Sequence, residues 1–124
     1  MKIEHIALTV SDVEEVKNFY TDILEMEELK NFVLNKELSQ KIFNTPEDTS
    51  AFFMQKNDLF LELFICNEKL KQGFNHTCIS VNDREAIVKK AESRDYECIK
   101  IKREFSNLIF IKDKSGNIFE VKEK

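Results

Sequence analysis

From His5 to Val10 the chain alternates: Ile6, Leu8 and Val10 fall on one side, His5, Ala7 and Thr9 on the other. Side chains two apart share a face of an extended strand, so the pattern predicts a strand with one branched apolar face and one small, polar face. The phrase returns at a constant offset of 76 − 5 = 71 residues, where Thr77, Ile79 and Val81 oppose His76, Cys78 and Ser80. Ungapped self-similarity of this kind points to a doubled architecture. Ser11 and Asn82 follow as N-caps, with Glu14 and Glu85 three residues on, the capping-box arrangement that opens a helix. The first helix is expected to bury Val13, Val16, Phe19, Tyr20, Ile23 and Leu24, the second Ile87, Val88 and Ala91. Strand patterns then cover residues 29–34, a weaker piece at Ile42 and Phe43, 50–55 and 59–65 in the first half, and 97–101, 108–111 and 118–121 in the second. Asn57-Asp58 and Ser115-Gly116-Asn117 are turn signals before the last strand of each half. Each half reads βαβββ, and the expected fold class is α+β, one domain over residues 1–124 with module 1 at 1–66, a polar connection at 67–73 and module 2 at 74–124. Residues 35–49, with Pro46 among them, carry the least pattern and are expected to form a mobile flap.

Composition narrows the function. A chain of 124 residues buries a single compact core. Its net charge of −4, with lysines and arginines scattered among the acids, offers no basic stripe for phosphate backbones, so nucleic acid is excluded as a partner. No apolar run approaches the roughly 18 residues of a membrane span, and the expected location is the cytoplasm. Cys66, Cys78 and Cys98 lack paired spacing and read as reduced, buried thiols. Eleven phenylalanines beside no tryptophan mean that phenyl rings must line a core or a pocket.

The last strand of each half supplies the chemistry. Glu62 interrupts the apolar run 59–65, and Glu120 interrupts 118–121. A carboxylate inside such a strand costs several kcal/mol unless a cation or a hydrogen-bonding partner compensates it. A lysine across the sheet is one compensation. A metal is the other: both histidines of the chain, His5 and His76, recur at equivalent repeat positions, and with Glu62 and Glu120 they form a set of nitrogen and oxygen donors suited to Ni²⁺, Co²⁺, Fe²⁺, Mn²⁺ or Zn²⁺. Small residues beside each histidine, Ala7, Thr9, Cys78 and Ser80, leave space on that face. Phe60, Phe64, Phe74 and Ile118 share the ligands' parity and are expected to wall the cavity.

The opening EHIALTVSDVEEVKNFYTDILEM, the second-half start FNHTCISVND and the ending DKSGNIFEV resemble the vicinal-oxygen-chelate superfamily, which includes glyoxalase I, methylmalonyl-CoA epimerase, extradiol dioxygenases and bleomycin- and fosfomycin-resistance proteins. The resemblance spans nearly the whole chain. It implies paired modules forming a curved, cup-shaped mixed sheet with helices on the outer face, a homodimer, and one divalent metal, Ni²⁺ or Co²⁺ in preference to Zn²⁺, held by His5, Glu62, His76 and Glu120. The His, Glu, His, Glu order is similar to bacterial glyoxalase I, and implies a lyase or isomerase that abstracts a proton beside a chelated carbonyl through an enediolate. Glu120 or Glu62 would be the base, and the substrate a 2-oxoaldehyde–thiol adduct, as in lactoylglutathione lyase, or an acyl thioester. Methylmalonyl-CoA epimerase-like chemistry and a non-catalytic ligand-binding role of the bleomycin-resistance type are the alternatives. One departure stands out: glutathione-dependent relatives carry an arginine four residues after the first histidine, where this chain has Thr9, and Arg84, Arg94 and Arg103 lie elsewhere.

Overall fold

The computed structural model describes residues 1–68 and 73–124, and the chain divides into two compact units, residues 1–68 and 69–124. The middle of the expected connection at 67–73 lies outside the described residues. In the first unit the strands are β1 (Ile6–Val10), β2 (Glu27–Leu34), β3 (Thr49–Lys56) and β4 (Leu59–Ile65), in the order β1-β4-β3-β2. In the second they are β5 (Thr77–Val81), β6 (Cys98–Ile101), β7 (Leu108–Lys112) and β8 (Ile118–Glu123), in the order β5-β8-β7-β6. β1 runs parallel to β4 and β5 parallel to β8, while the other neighbours are antiparallel. The two mixed four-stranded sheets and few helices are the α+β class expected from the alternation. Among the described residues no helix is long and apolar enough to cross a membrane.

Register separates the two faces of each sheet. Leu61 and Leu63 stand beside Ile6 and Leu8, and Leu61 also beside Met54, on the face that receives the first helix. Val10, Phe19, Tyr20, Ile23, Met54, Leu61 and Leu63 are completely buried. The second unit repeats this with Ile111, Phe119 and Val121 under the buried Ile87, Val88 and Ala91 of α3 (Arg84–Ser93). Removing this much apolar surface from water is the main force holding either unit together.

Three local expectations are corrected. The N-caps are Asp12 and Asp83, one residue beyond Ser11 and Asn82: their carboxylates accept from the backbone N–H groups of Glu14 and Ala86, each at 2.9 Å. An aspartate also brings negative charge to the positive end of the helix. The first helix is not uniform: α1 (Val13–Glu15) widens into a π-helical segment, Val16–Thr21, with N–H groups of Asp22 and Leu24 bonding five residues back to Lys17 and Phe19. The wider turn lets the neighbouring Phe19 and Tyr20 both point inward, and Val13, expected in the core, is left 51% exposed. Residues 35–49 are no unpatterned flap. They hold α2 (Lys36–Phe43), capped by Asn35, whose Oδ1 accepts from Leu38 N at 2.9 Å, and ended by Asn44 in the left-handed region at φ 55°. Ile42 and Phe43 are thus helical rather than extended, and the first unit is β-α-β-α-β-β while the second is βαβββ.

The turn before β8 is held by Asp113, which is buried and accepts from the backbone of Ser115 (2.9 Å) and Asn117 (2.8 Å) and from the Asn117 amide (2.8 Å). Asp113→Ala strands these donors and is expected to cost about 1–3 kcal/mol, read as a lowered urea midpoint at unchanged slope.

Candidate metal centre

Each unit sets one imidazole against one carboxylate. His5 lies just before β1, whose Ala7 is paired with Glu62 of β4, and His5 Nε2 is 2.7 Å from Glu62 Oε2. His76 lies just before β5, whose Cys78 is paired with Glu120 of β8, and His76 Nε2 is 3.4 Å from Glu120 Oε2. The two pairs match in exposure as well: 42% for each imidazole and 15% for each carboxylate. Glu62 has the His5 imidazole against it, whereas Glu120 also has Lys122 Nζ at 3.6 Å; that lysine stands two residues along the same strand rather than across the sheet, where it was expected.

Both histidines are flanked by a phenylalanine that pattern reading passed over. Phe53, beside Glu62 across β3 and β4, meets the His5 ring edge to face with centroids 5.6 Å apart. Phe110, beside Glu120 across β7 and β8, meets His76 at 6.3 Å. Their equivalence was written in the sequence: Phe53 precedes Glu62 by nine residues and Phe110 precedes Glu120 by ten, the difference lying in the turn. Of the expected wall residues, Ala7, Thr9, Phe60 and Phe64 share Glu62's face in the first unit, and Cys78, Ser80 and Ile118 share Glu120's face in the second. Phe64 packs against Phe43 of α2, centroids 5.5 Å apart. Phe74 stands fully exposed with its ring away from any wall, and contributes its backbone carbonyl instead.

The donor geometry suits a metal. Two ligand atoms at right angles, each about 2.1 Å from an ion, lie about 3.0 Å apart, and the His–Glu separations of 2.7 and 3.4 Å straddle that value. His76 adds a second indication. Its Nδ1 lies 2.9 Å from the carbonyl of Phe74, which can only accept, so Nδ1 carries the hydrogen and Nε2 presents its lone pair in the neutral ring. Nε2 is then the nitrogen turned toward the Glu120 carboxylate. Among the described residues no group of three or more His, Cys, Asp or Glu side chains is gathered in one place; each unit holds one His–Glu pair.

The cysteines depart from the expectation of buried thiols. All three are free, but Cys78 is exposed and Cys66 and Cys98 are only half-buried. Desolvation, and then the charge and hydrogen bond of the neighbouring Glu120, raise the Cys78 thiol above its usual value.

The sequence profile of the Glyoxalase/Bleomycin resistance protein/Dioxygenase superfamily matches residues 2–121. The chain belongs to this superfamily. Its members bind small-molecule substrates and are commonly metalloenzymes. Solved structures of glyoxalase-superfamily folds are similar throughout the chain. A glyoxalase family protein from Enterococcus faecalis has 20% identity and a TM-score of 0.70, covering 97% of this chain and 95% of that one. The fosfomycin resistance protein FosX from Listeria monocytogenes has 16% identity and a TM-score of 0.76, covering 100% and 93%. A variant of the latter protein, bound to Mn(II) and 1S,2S-dihydroxypropylphosphonic acid, has 16% identity and a TM-score of 0.76, covering 98% and 91%. At such identities the likeness establishes the fold alone. No curated protein sequence matches significantly.

Proposed function

We propose that the protein is a metal-dependent lyase or isomerase of the glyoxalase I type, in which the His5–Glu62 and His76–Glu120 pairs together hold one divalent transition ion. The observation that carries this reading is the matched half-site: in both units an imidazole nitrogen faces a largely buried carboxylate oxygen at 2.7 or 3.4 Å, on the same strands and with the same phenylalanine alongside. The set is completed within one chain or between the two copies of a homodimer, and either arrangement gives one ion per chain. When bound, the ion, Ni²⁺ or Co²⁺ before Zn²⁺, would supply Lewis acidity toward the substrate's carbonyl. The chain's own part is to move the proton on the neighbouring carbon. Glu120, whose carboxylate is already shared between His76 and Lys122, is the base, and Glu62 holds its place beside His5. The substrate is a 2-oxoaldehyde–thiol adduct or an acyl thioester. Thr9, in place of an arginine, argues for a thiol other than glutathione.

The test is metal stoichiometry. Protein dialysed against Ni²⁺, Co²⁺, Zn²⁺ or Mn²⁺ is expected to retain one ion per chain, and His5→Ala and His76→Ala each to abolish retention. Two weak sites per chain, each lost only with its own histidine, would show that the pairs act separately; no retained ion would leave a metal-free ligand-binding protein. Turnover is then assayed with methylglyoxal adducts of several thiols and with methylmalonyl-CoA.

A further inference from the structure

The rows of residues that cross Glu62 and Glu120 differ in charge at one position. Across the first sheet, on the ligand face, runs the row Ala7, Glu62, Phe53, Lys30; across the second runs Cys78, Glu120, Phe110, Ile99. Where the second unit has an apolar Ile99, the first has a cation. A β-bulge puts it there: Glu28 is opposite Met54 and Lys30 opposite Phe53, so Leu29 is the extra residue. Without the bulge, Lys30 would pair with Phe52 and turn to the opposite face. Bulges that re-aim a side chain are typical of sheet edges beside functional sites.

The Lys30 ammonium lies 5.5 Å from the centre of the Phe53 ring, and the same ring meets His5. No carboxylate pairs with it among the described residues, whereas Lys112 and Lys122, on the corresponding face of the second sheet, hold Glu97 and Glu120. A lysine aimed by a bulge onto the face of the His–Glu pair, resting on a ring and lacking a counter-ion, is equipped to receive an anion.

We propose that Lys30 docks the negatively charged group of the substrate, a carboxylate or phosphonate on the same molecule whose adjacent oxygens are held beside His5 and Glu62. The inference rests on the metal-dependent reading for the second part of that contact. Lys30 and Glu62 stand two strands apart, roughly 10 Å between backbones. The lysine side chain covers much of that gap, and a short carbon chain covers the remainder.

The experiment compares probes with one chelating head, 2-oxoglutarate, 2-oxo-4-phosphonobutanoate and 2-oxopentanoate, titrated calorimetrically into Mn²⁺-loaded protein. All three carry the ionised 2-oxo carboxylate; the two with a second, distal anion are expected to bind at least about tenfold tighter than 2-oxopentanoate, and the tighter of the two identifies the oxyanion. Lys30→Met is expected to erase this preference and leave 2-oxopentanoate affinity within about twofold, and Lys30→Arg to restore it. Equal binding of the probes with and without the distal anion, or a preference that survives Lys30→Met, overturns the proposal. An edge-strand lysine that merely discourages strand pairing gives that second outcome. If the protein retains no Mn²⁺, the metal reading fails by itself. Lys30 is then judged in metal-free, isotope-labelled protein: shifts at Lys30 and Phe53 with 2-oxoglutarate but not 2-oxopentanoate sustain it, and their absence overturns it.

Discussion

Glu62→Gln is expected to weaken metal retention by at least about a hundredfold, and Glu120→Gln to weaken it less but remove nearly all turnover. The two carboxylates are alike in exposure and unlike in company. Glu62 has the His5 imidazole at 2.7 Å and no lysine against it among the described residues, so an ion set between the two would face its carboxylate without a competing ammonium. Glu120 stands 3.4 Å from His76 and 3.6 Å from Lys122, so part of its charge is already answered and its hold on an ion is the looser. Of the two carboxylates, the one held less tightly at the site would take up a proton at lower cost. Losing even an outlying partner of a metal ligand costs about 10–100-fold in affinity, and losing a charged ligand costs more. Metal titration and exchange of the substrate's α-hydrogen with deuterated solvent separate the two effects. If Glu62→Gln keeps the metal and stops exchange, the base is Glu62.

Phe119→Ala is expected to cost about 3–5 kcal/mol, the range for removing a buried aromatic ring from a core that cannot close over the cavity. Phe119 is completely buried, although its neighbour in sequence is the candidate ligand Glu120. The strand's alternation sends one side chain inward and the next to the site, so the variant lowers stability through packing while the ligand itself remains. Phe60→Ala, on the half-buried ligand face of β4, is the control and should shift the urea midpoint far less.

Both outcomes rest on a parity that could be read before any coordinates. Ile6, Leu8 and Val10 against His5, Ala7 and Thr9, and Glu62 inside an apolar run, fixed which side chains share a face, because in a regular strand that depends on spacing alone. What escaped notice has physical reasons. Lys30 was hidden because the bulge at Leu29 breaks the period of two, and a bulge leaves little trace in one sequence. The helix Lys36–Phe43 was hidden because its support is local and polar: the Asn35 cap, the left-handed Asn44, the Lys41–Glu37 pair at 3.2 Å and the carboxylate of Asp48, which receives Lys36 N at 2.6 Å. The π-helical segment leaves as little trace, since its hydrogen bonds reach five residues back while its apolar spacing is compatible with a regular helix.

The parallel pairing that seats each carboxylate beside its histidine has a kinetic consequence. Leu61 joins Ile6 across 61 − 6 = 55 residues, and Phe119 joins Thr77 across 119 − 77 = 42, so each closes a long loop before it gains a contact. A refolding chain therefore has two long closures to make, each seating the opening strand of a unit against its last strand.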